Sequence, residues 1–254
     1  MSIELTAVSF DYQVRSITTA PWYRNLLRRK EVSVNIYHEL DFSLNQPATI
    51  YGLLGKNGSG KTTLIKLMTG ILQPASGRIS VLGEDPVKRS KKLLRQIGVM
   101  FGHKSMLWPE LSLQENIKLF EHIYRRTYNV DILTTKLQQL SLVEVLDKPT
   151  KTFSLGQSVK ANLLIHLLNQ PKLMILDEPT IGLDVESAIA LRKTLIDFCQ
   201  KTRAIVLITS HNMMDIAEVC DQVHFVKSGR IESVEALPFQ STQERAKYLE
   251  SLFL

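Results

Sequence analysis

A glycine-rich stretch that ends in a lysine and two threonines, GLLGKNGSGKTT at residues 52–63, has the composition of a phosphate-binding loop. Its spacing fits G-x-x-x-x-G-K-[ST] through Gly55, Gly60, Lys61 and Thr62. Glycines let successive backbone N–H groups turn toward an anion, and a helix N-terminus adds partial positive charge. We expect Lys61 to reach the β- and γ-phosphates of a nucleotide and the Thr62 hydroxyl to bind Mg²⁺. A glycine-rich turn that binds nothing is the alternative, but the preceding strand and the following helix favour the phosphate site.

A pair of carboxylates follows a short apolar run in KLMILDEP, residues 172–179. This pattern places Asp177 and Glu178 at the C-terminal edge of a buried strand, where parallel sheets bind their ligands. We expect Asp177 to hold Mg²⁺ indirectly and Glu178 to act as the general base that polarises the attacking water. An acidic pair in a solvated turn or helix cap is the alternative. The presence of a phosphate loop in the same chain favours the catalytic interpretation.

The elements that must position these residues follow an α/β pattern. Near-continuous apolar runs separated by helical stretches predict a parallel sheet buried on both faces, as in a RecA-like core: 48–54, 96–101, 172–177, 204–209 and 222–227. The first 50 residues and RISVLGED at 78–85 alternate apolar with polar residues, which predicts a small antiparallel sheet against that core. Between about 110 and 170, apolar positions at helical spacing predict an inserted helical subdomain.

The composition is that of a globular protein with a sizeable core, but it does not identify a binding partner. The chain of 254 residues is 44% hydrophobic, enough for a sizeable core, and it has no apolar run of about 20 residues and no signal-peptide layout. The net charge of +6 suits nucleic acid, an anionic membrane surface or phosphate ligands. Cys199 and Cys220 lack metal-ligand spacing, so we assign them no chemistry.

Four segments in order, GKNGSGKTT, FSLGQ, ILDEPTIGLD and TSH, give the chain a resemblance to ATP-binding cassette (ABC) ATPases from about residue 3 to residue 232. The resemblance implies ATP and Mg²⁺ as cofactors. It also implies that the whole loop cradles the nucleotide, through Gly55, Asn57, Gly58, Ser59, Gly60, Lys61, Thr62 and Thr63. One domain is implied over residues 1–254: a core and β subdomain (about 1–100 and 170–235), a helical subdomain (about 103–168) and a short C-terminal helix (236–254).

The same resemblance implies a nucleotide site shared between two subunits. Tyr12 matches the aromatic residue that stacks on adenine, although packing is an equal alternative for an edge-strand tyrosine. His211 matches the switch histidine that binds the γ-phosphate, against the alternative of an ordinary satisfied polar residue. Asp184 matches the loop that contacts the opposite subunit. The signature that caps the partner's nucleotide is matched by Ser154, Gly156 and Gln157, with the helix expected to begin near Gln157.

The chain departs from the usual LSGGQ signature at Phe153 and Leu155. Leu155 is compatible with a helix N-terminus that faces a phosphate if its side chain points into the helical subdomain. SLGQ, together with FGHKSMLWPELSL, resembles exporters of the ABC-2 type. In that alignment His103 takes the place of the family glutamine that reaches Mg²⁺ and the water; a slip by one residue, which would leave His103 in an exposed loop, is the alternative.

These features predict the energy-coupling subunit of an ABC-2-type exporter, which hydrolyses ATP as a dimer, expected to be with a copy of itself, on separate integral membrane permease subunits. It would be peripheral, at the cytoplasmic face of the cell (inner) membrane, with no nucleic acid partner. The alternatives are a soluble ABC ATPase that acts on nucleic acid or ribosomes, and an import ATPase. The segment PWYRNLLRRK, residues 21–30, is interpreted either as a membrane-surface contact or as an ordinary packed excursion.

Overall fold

The computed structural model describes residues 1–15, 31–102, 104–210, 212–234 and 241–253. Its strands are β1 (Ile3–Arg15), β2 (Glu31–Leu44), β3 (Thr49–Leu54), β4 (Ser76–Val81), β5 (Ile97–Phe101), β6 (Leu173–Asp177), β7 (Ile205–Thr209), β8 (Gln222–Lys227) and β9 (Arg230–Val234). Its α-helices are α1 (Lys61–Met68), α2 (Lys91–Leu94), α3 (Leu113–Tyr124), α4 (Val130–Gln139), α5 (Leu155–Asn169), α6 (Val185–Thr202), α7 (Met213–Val219) and α8 (Thr242–Phe253).

The central sheet has six strands in the order β5-β6-β7-β3-β8-β9. The first five are the apolar runs predicted from the sequence, and they pair in parallel. β9 is a departure from a purely parallel sheet, because it pairs antiparallel to β8. Only Ser228 and Gly229 separate these two strands, and a parallel partner would need a connection of a dozen residues or more. The α/β architecture expected from the sequence is confirmed.

A second sheet of three antiparallel strands, in the order β2-β1-β4, lies against one face of the central sheet. Ile3, Leu5 and Val8 of β1 are buried in the same cluster as Leu64 and Ile65 of α1. Residues at alternate positions of β1 remain exposed, which is the pattern expected of a sheet with one solvated face. Burial of this sheet therefore fixes the first strand close to the helix that follows the phosphate loop.

Helices cover the opposite face, where α5 contributes a nearly continuous run of buried residues from Ala161 to Asn169. Leu113 and Ile117 of α3 and Leu137 of α4 join the same apolar cluster. These helices occupy the part of the chain in which no strand was expected. Both cysteines are buried and free. Among the described residues, no helix combines the length and the apolar character needed to cross a membrane.

Candidate active site

The phosphate loop connects β3, which is buried along its whole length, to α1. Gly60 is the N-cap of α1 with φ 110°, a conformation that an L side chain rarely adopts. A Cβ atom at Gly60 would lie 2.7 Å from the Tyr37 hydroxyl oxygen, so space as well as conformation requires glycine. At Gly55 a Cβ atom would lie 2.7 Å from the carbonyl oxygen of Val226. The loop is therefore shaped by glycines at the two positions that the motif specifies.

Lys61 is the first residue of α1, and only 7% of its surface is exposed. Its Nζ atom donates hydrogen bonds to the carbonyl oxygens of Gly55 (2.6 Å) and Lys56 (3.3 Å), so the side chain crosses the base of the loop. Burial lowers the pKa of Lys61, while the negative charges of Glu178 and Asp177 act in the opposite direction. The lysine is thus a cation held inside the loop with two carboxylates nearby.

Oxygen atoms suited to a hard cation meet at the end of β6. The Thr62 hydroxyl donates to Asp177 Oδ2 at 3.1 Å, and the Thr209 hydroxyl donates to Asp177 Oδ1 at 2.6 Å. A carboxylate beside a hydroxyl fits Mg²⁺, which takes few protein oxygen ligands and completes its shell with water and phosphate oxygens. Thr62 and Asp177 are therefore the residues that would hold the ion. The structure brings these two predicted ligands together although they lie 115 positions apart.

Glu178 follows Asp177 in a left-handed backbone conformation, with φ 55°. For a residue other than glycine such a conformation costs about 1–3 kcal/mol, so neighbouring contacts must hold it. The Glu178 N–H donates to both the carbonyl oxygen of Thr209 (3.1 Å) and the Thr209 hydroxyl (3.0 Å). The candidate base is therefore attached to the end of β7 at the same threonine that binds Asp177.

Tyr12 lies on β1 beside the start of α1. Its hydroxyl is 3.3 Å from the Thr63 hydroxyl, and its ring meets Phe10 edge-on at 4.9 Å between centroids. The side chain is half-buried, so one part packs and the other remains accessible. Both the packing and the base-stacking interpretations are compatible with this position next to the phosphate loop.

The signature segment forms the N-terminus of α5, which begins at Leu155, two residues before the position expected near Gln157. Ser154 is the N-cap: its hydroxyl accepts from the Gln157 N–H (3.2 Å), and the Gln157 side-chain oxygen accepts from the Ser154 N–H (3.0 Å). This reciprocal capping box starts the helix two residues earlier. In the single chain, Gln157 thus serves to cap its own helix.

Phe153 and Leu155, the two departures from the usual signature, differ in burial. Phe153 is half-buried and packs against the apolar cluster around α5. Leu155 is 40% exposed, so the condition that its side chain points into the helical subdomain is not met. Of the first five positions of α5, only Gly156 and Val159 are buried. Leu155 lies on the other side of this first turn, which faces the surface.

Asp184 lies directly beside the signature. A Cβ atom at Gly156 would be 3.7 Å from Asp184 Oδ2 and 3.2 Å from the Ser187 hydroxyl. Asp184 caps α6 by accepting from the Ser187 N–H at 2.7 Å, and this bond, followed by that of the Ser187 hydroxyl, lowers the pKa of Asp184. Ser154, Leu155 and Asp184 are exposed. The signature and the Asp184 loop therefore form one continuous surface of the chain.

The structure thus brings together Lys61, Thr62, Asp177 and Glu178 in one cluster, and Ser154, Gly156, Gln157 and Asp184 in another. Asn57 and Gly58 are exposed at the tip of the phosphate loop, with Ser59 half-buried behind them. His103 and His211 lie outside the described residues, as does the segment 21–30.

Sequence reasoning missed a set of residues that brace the carboxylate loop. Asp215 accepts from the Thr180 hydroxyl at 2.6 Å and pairs with Arg192 at 2.5 Å, with only 5% and 13% of the two charged side chains exposed. Thr209, fully buried, was also missed. For Thr209 a signal was present, since it ends an apolar run at the same edge as Asp177; the Arg192–Asp215 pair has no sequence spacing that would reveal it.

Comparison with known proteins places these features in a family. The model of the ABC transporter family matches residues 37–181. The chain is 30% identical over 219 residues to the ABC transporter ATP-binding protein NatA of Bacillus subtilis (strain 168), a match that covers 84% of this chain and 88% of NatA. It is 32% identical over 202 residues to the bacitracin transport ATP-binding protein BcrA of Bacillus licheniformis, covering 79% of this chain and 65% of BcrA.

The chain is also similar to a protein that is named for import. The methionine import ATP-binding protein MetN of Geobacillus kaustophilus (strain HTA426) is 32% identical over 191 residues, a match that covers 72% of this chain and 55% of MetN. The phosphate loop and the carboxylate strand lie within the region that the family model covers.

Solved structures agree on the fold. A structure described as the ATP-binding subunit of an ABC transporter superposes with a TM-score of 0.75 at 23% identity, covering 98% of this chain and 99% of that one. The dimeric ATP-binding cassette MJ0796 bound to ADP and Pi superposes with a TM-score of 0.75 at 19% identity, covering 93% and 99%. Together with the family match and the phosphate loop described above, this shows that the chain belongs to the ABC transporter family and is an ATP-binding subunit with the ATPase fold and activity of that family.

Proposed function

We propose that this chain is the energy-coupling subunit of an ABC-2-type exporter, and that it hydrolyses Mg-ATP as a dimer on a separate membrane permease at the cytoplasmic face of the cell membrane. The observation that carries this proposal is the separation of two clusters in one chain. Lys61, Thr62, Asp177 and Glu178 meet behind the phosphate loop, whereas Ser154, Gly156 and Asp184 form an exposed surface of their own. A site divided in this way is completed by a second subunit.

Within one subunit, the loop N–H groups and Lys61 would bind the phosphates, and Thr62 and Asp177 would hold Mg²⁺, which supplies charge neutralisation at the β- and γ-phosphates. Glu178 would accept a proton from the attacking water. His211 would bind the γ-phosphate, and His103 would take the position of the family glutamine at the metal and the water. Tyr12, beside Thr63, is proposed to stack on the adenine.

The second subunit, proposed to be a copy of this chain, would bring the partner's Ser154 and the partner's Gly156 to the nucleotide. Support comes from the exposed apolar side chains around this surface, since Leu155, Ile181 and Val185 are 40%, 39% and 75% exposed. Apolar groups in this arrangement favour association with another protein surface. A helix N-terminus at the same place is suited to an anion.

Export is supported by the ABC-2-like SLGQ and FGHKSMLW segments and by the relationship to BcrA, whose name specifies bacitracin transport. Import is the second candidate, because MetN is named a methionine import protein and is similarly identical. Purification of this chain from its native membrane in mild detergent separates the two. Membrane-spanning partners of the ABC-2 class would support export, whereas a complex that includes an extracytoplasmic solute-binding protein would support import.

Replacement of Glu178 by Gln tests the hydrolytic role. The variant should bind Mg-ATP normally and lose roughly 10²- to 10⁴-fold in steady-state turnover, because an amide cannot accept the proton. Turnover measured by phosphate release, with binding measured separately by a fluorescent ATP analogue, distinguishes a chemical defect from a binding defect. An unchanged rate would show that Glu178 is not the base.

The shared site is tested in the same Glu178→Gln background, in which bound ATP persists. Saturating Mg-ATP should shift the protein toward a dimer in sedimentation velocity. The additional change Gly156→Val should abolish the shift, because a side chain there would fill the space beside Ser187 and Asp184. A dimer that forms equally well in the Gly156→Val variant would contradict the role proposed for this surface.

A further inference from the structure

The end of β7 carries a hydroxyl that connects the Asp177 carboxylate to the backbone of Glu178. Thr209 is fully buried, and it is the last residue of β7. It pairs with Asp177 on one neighbouring strand and with Leu53 on the other, so it lies in the same row across the sheet as both the metal-side carboxylate and the strand that enters the phosphate loop.

The Thr209 hydroxyl has both a donor and an acceptor role. It donates to Asp177 Oδ1 at 2.6 Å and accepts from the Glu178 N–H at 3.0 Å. Asp177 Oδ2 accepts in turn from the Thr62 hydroxyl at 3.1 Å. These bonds form a single path from α1 through Asp177 and Thr209 to the backbone of Glu178.

The carboxylate loop needs such support because Glu178 has φ 55°. On its other side the loop is fixed two residues later, where Thr180 donates to Asp215 at 2.6 Å and Asp215 pairs with Arg192. Thr209 is therefore the attachment at the start of the strained loop, and Asp215 is the attachment after it. A branched side chain at Thr209 restricts χ1 and so fixes the direction of the hydroxyl.

We propose that Thr209 is a positioning residue for ATP hydrolysis, which orients the carboxylate of Asp177 toward the metal and holds Glu178 at the water. The inference rests on the function proposed above for Asp177 and Glu178. Thr209 itself does not touch the nucleotide in this scheme; it acts through the two acidic residues. A serine can make the same two hydrogen bonds, whereas valine has nearly the same shape and can make neither.

Three variants test the proposal. Thr209→Val should lower kcat roughly 10- to 100-fold, since a small misplacement of reacting groups has effects of this size. Thr209→Ser should remain within about threefold of the unmodified protein. Thr194→Val is the matched control: Thr194 is also buried, but its hydroxyl donates to the carbonyl oxygen of Ala190 within its own helix. This control should leave kcat unchanged.

A second readout does not depend on turnover. Thermal stabilisation by ATP is measured with Mg²⁺ and again with EDTA in place of the metal. In Thr209→Val the stabilisation by ATP with EDTA should remain, while the extra stabilisation from Mg²⁺ should be reduced, because Asp177 loses the donor that orients it. Thr209→Ser should retain both parts. A merely structural role would lower the melting temperature without changing this difference.

The proposal is overturned if folded Thr209→Val retains kcat and the Mg²⁺-dependent stabilisation, or if Thr194→Val loses as much of either. Should the valine variant fail to fold, Thr209→Cys gives the same test, since sulfur hydrogen-bonds weakly; full activity in that variant would equally overturn it. Glu178→Gln is measured in parallel. Unchanged turnover there contradicts the proposed function itself, whereas loss there without loss in Thr209→Val contradicts the role of Thr209 alone.

Discussion

Two helix N-termini in this molecule are proposed to face phosphate groups, and they are built in opposite ways. At α1 the N-cap is Gly60, which makes no side-chain capping bond. At α5 the N-cap is Ser154, whose hydroxyl joins Gln157 in a closed capping box. The first N-terminus keeps its backbone donors available, and the second satisfies two of them within the chain.

Under the proposed function, the two ends would meet their ligands at different times, which would account for the difference. The loop before α1 needs open N–H groups because the same chain supplies Lys61 and the metal-side residues around them. The end of α5 is exposed, and its proposed ligand arrives only with a second subunit. A side-chain cap stabilises such a helix end by about 1 kcal/mol until then. Pre-organisation at one site and self-capping at the other thus suit a nucleotide that binds one subunit first.

A methyl group added at the N-cap of α1 should have the largest effect, and the effect should be on ATP affinity. Gly60→Ala should weaken ATP binding by about 10²-fold or more, because the left-handed φ and the 2.7 Å approach to Tyr37 both force the loop to move. Titration with a fluorescent ATP analogue measures this. Gly83→Ala is the control, since Gly83 has φ 82° but nothing within 4 Å of its Cβ position. Equal affinity in both variants would contradict the importance of the open helix end.

Two buried histidines, His166 in the last turn of α5 and His224 on β8, should make the fold less stable in acid. Burial lowers the pKa of His166 on α5 to about 4, and likewise that of His224, which lies beside Tyr51 of β3. The unfolded chain takes up protons below about pH 6.5 while these folded groups stay neutral, so stability is complete above that pH and is lost toward pH 4. Between about pH 7 and 5.5 the free energy of unfolding should fall by about 1 kcal/mol per histidine.

Denaturant unfolding at several pH values measures this dependence. His166→Asn and His224→Asn should each remove about half of the decrease, whatever their stability at neutral pH. A decrease that survives in the double variant would show that other groups are responsible.

Removal of the capping hydroxyl at the N-terminus of α5 should have the smallest effect on stability. It should selectively weaken dimerisation. Ser154→Ala should lower the free energy of unfolding by about 1 kcal/mol. Ser112→Ala is the matched control, because Ser112 and Glu115 form the same capping box at α3. Both changes should cost similar stability, but only Ser154→Ala should weaken ATP-driven dimerisation of the Glu178→Gln protein, by about tenfold. Equal dimerisation of the two variants in sedimentation would indicate that the Ser154 hydroxyl serves only its own helix.

The sequence was sufficient for the elements that depend on local pattern. Each apolar run assigned to the central sheet became a strand, since burial on both faces leaves a continuous apolar signal. The convergence of Thr62 and Asp177 followed from the rule that parallel strands end at one edge. The capping box was readable too, because S-x-x-Q at residues 154–157 is its signature.

The rest depended on tertiary contacts that no local pattern contains. The outward direction of Leu155 follows from how α5 lies against its neighbours, which a five-residue motif does not specify. The bonds of Asp215 on α7 reach Thr180 in the carboxylate loop, 35 positions earlier, and Arg192 on α6, 23 positions earlier. The antiparallel direction of β9 was set by the two-residue turn before it, a signal outside the strand itself.

Leu53, Thr209, Asp177 and Phe101 pair in one row across β3, β7, β6 and β5. Adjacent strands are about 4.8 Å apart, and side chains alternate between faces at every residue. Loss of a single residue from β6 before Asp177 would therefore shift the carboxylate along its strand and turn it to the opposite face. A conservative replacement inside β6 would leave the Asp177 carboxylate in its row and on the same face. Insertions and deletions in β3, β6 and β7 should accordingly be far less tolerated than substitutions, so the lengths of these strands are more tightly constrained than their composition.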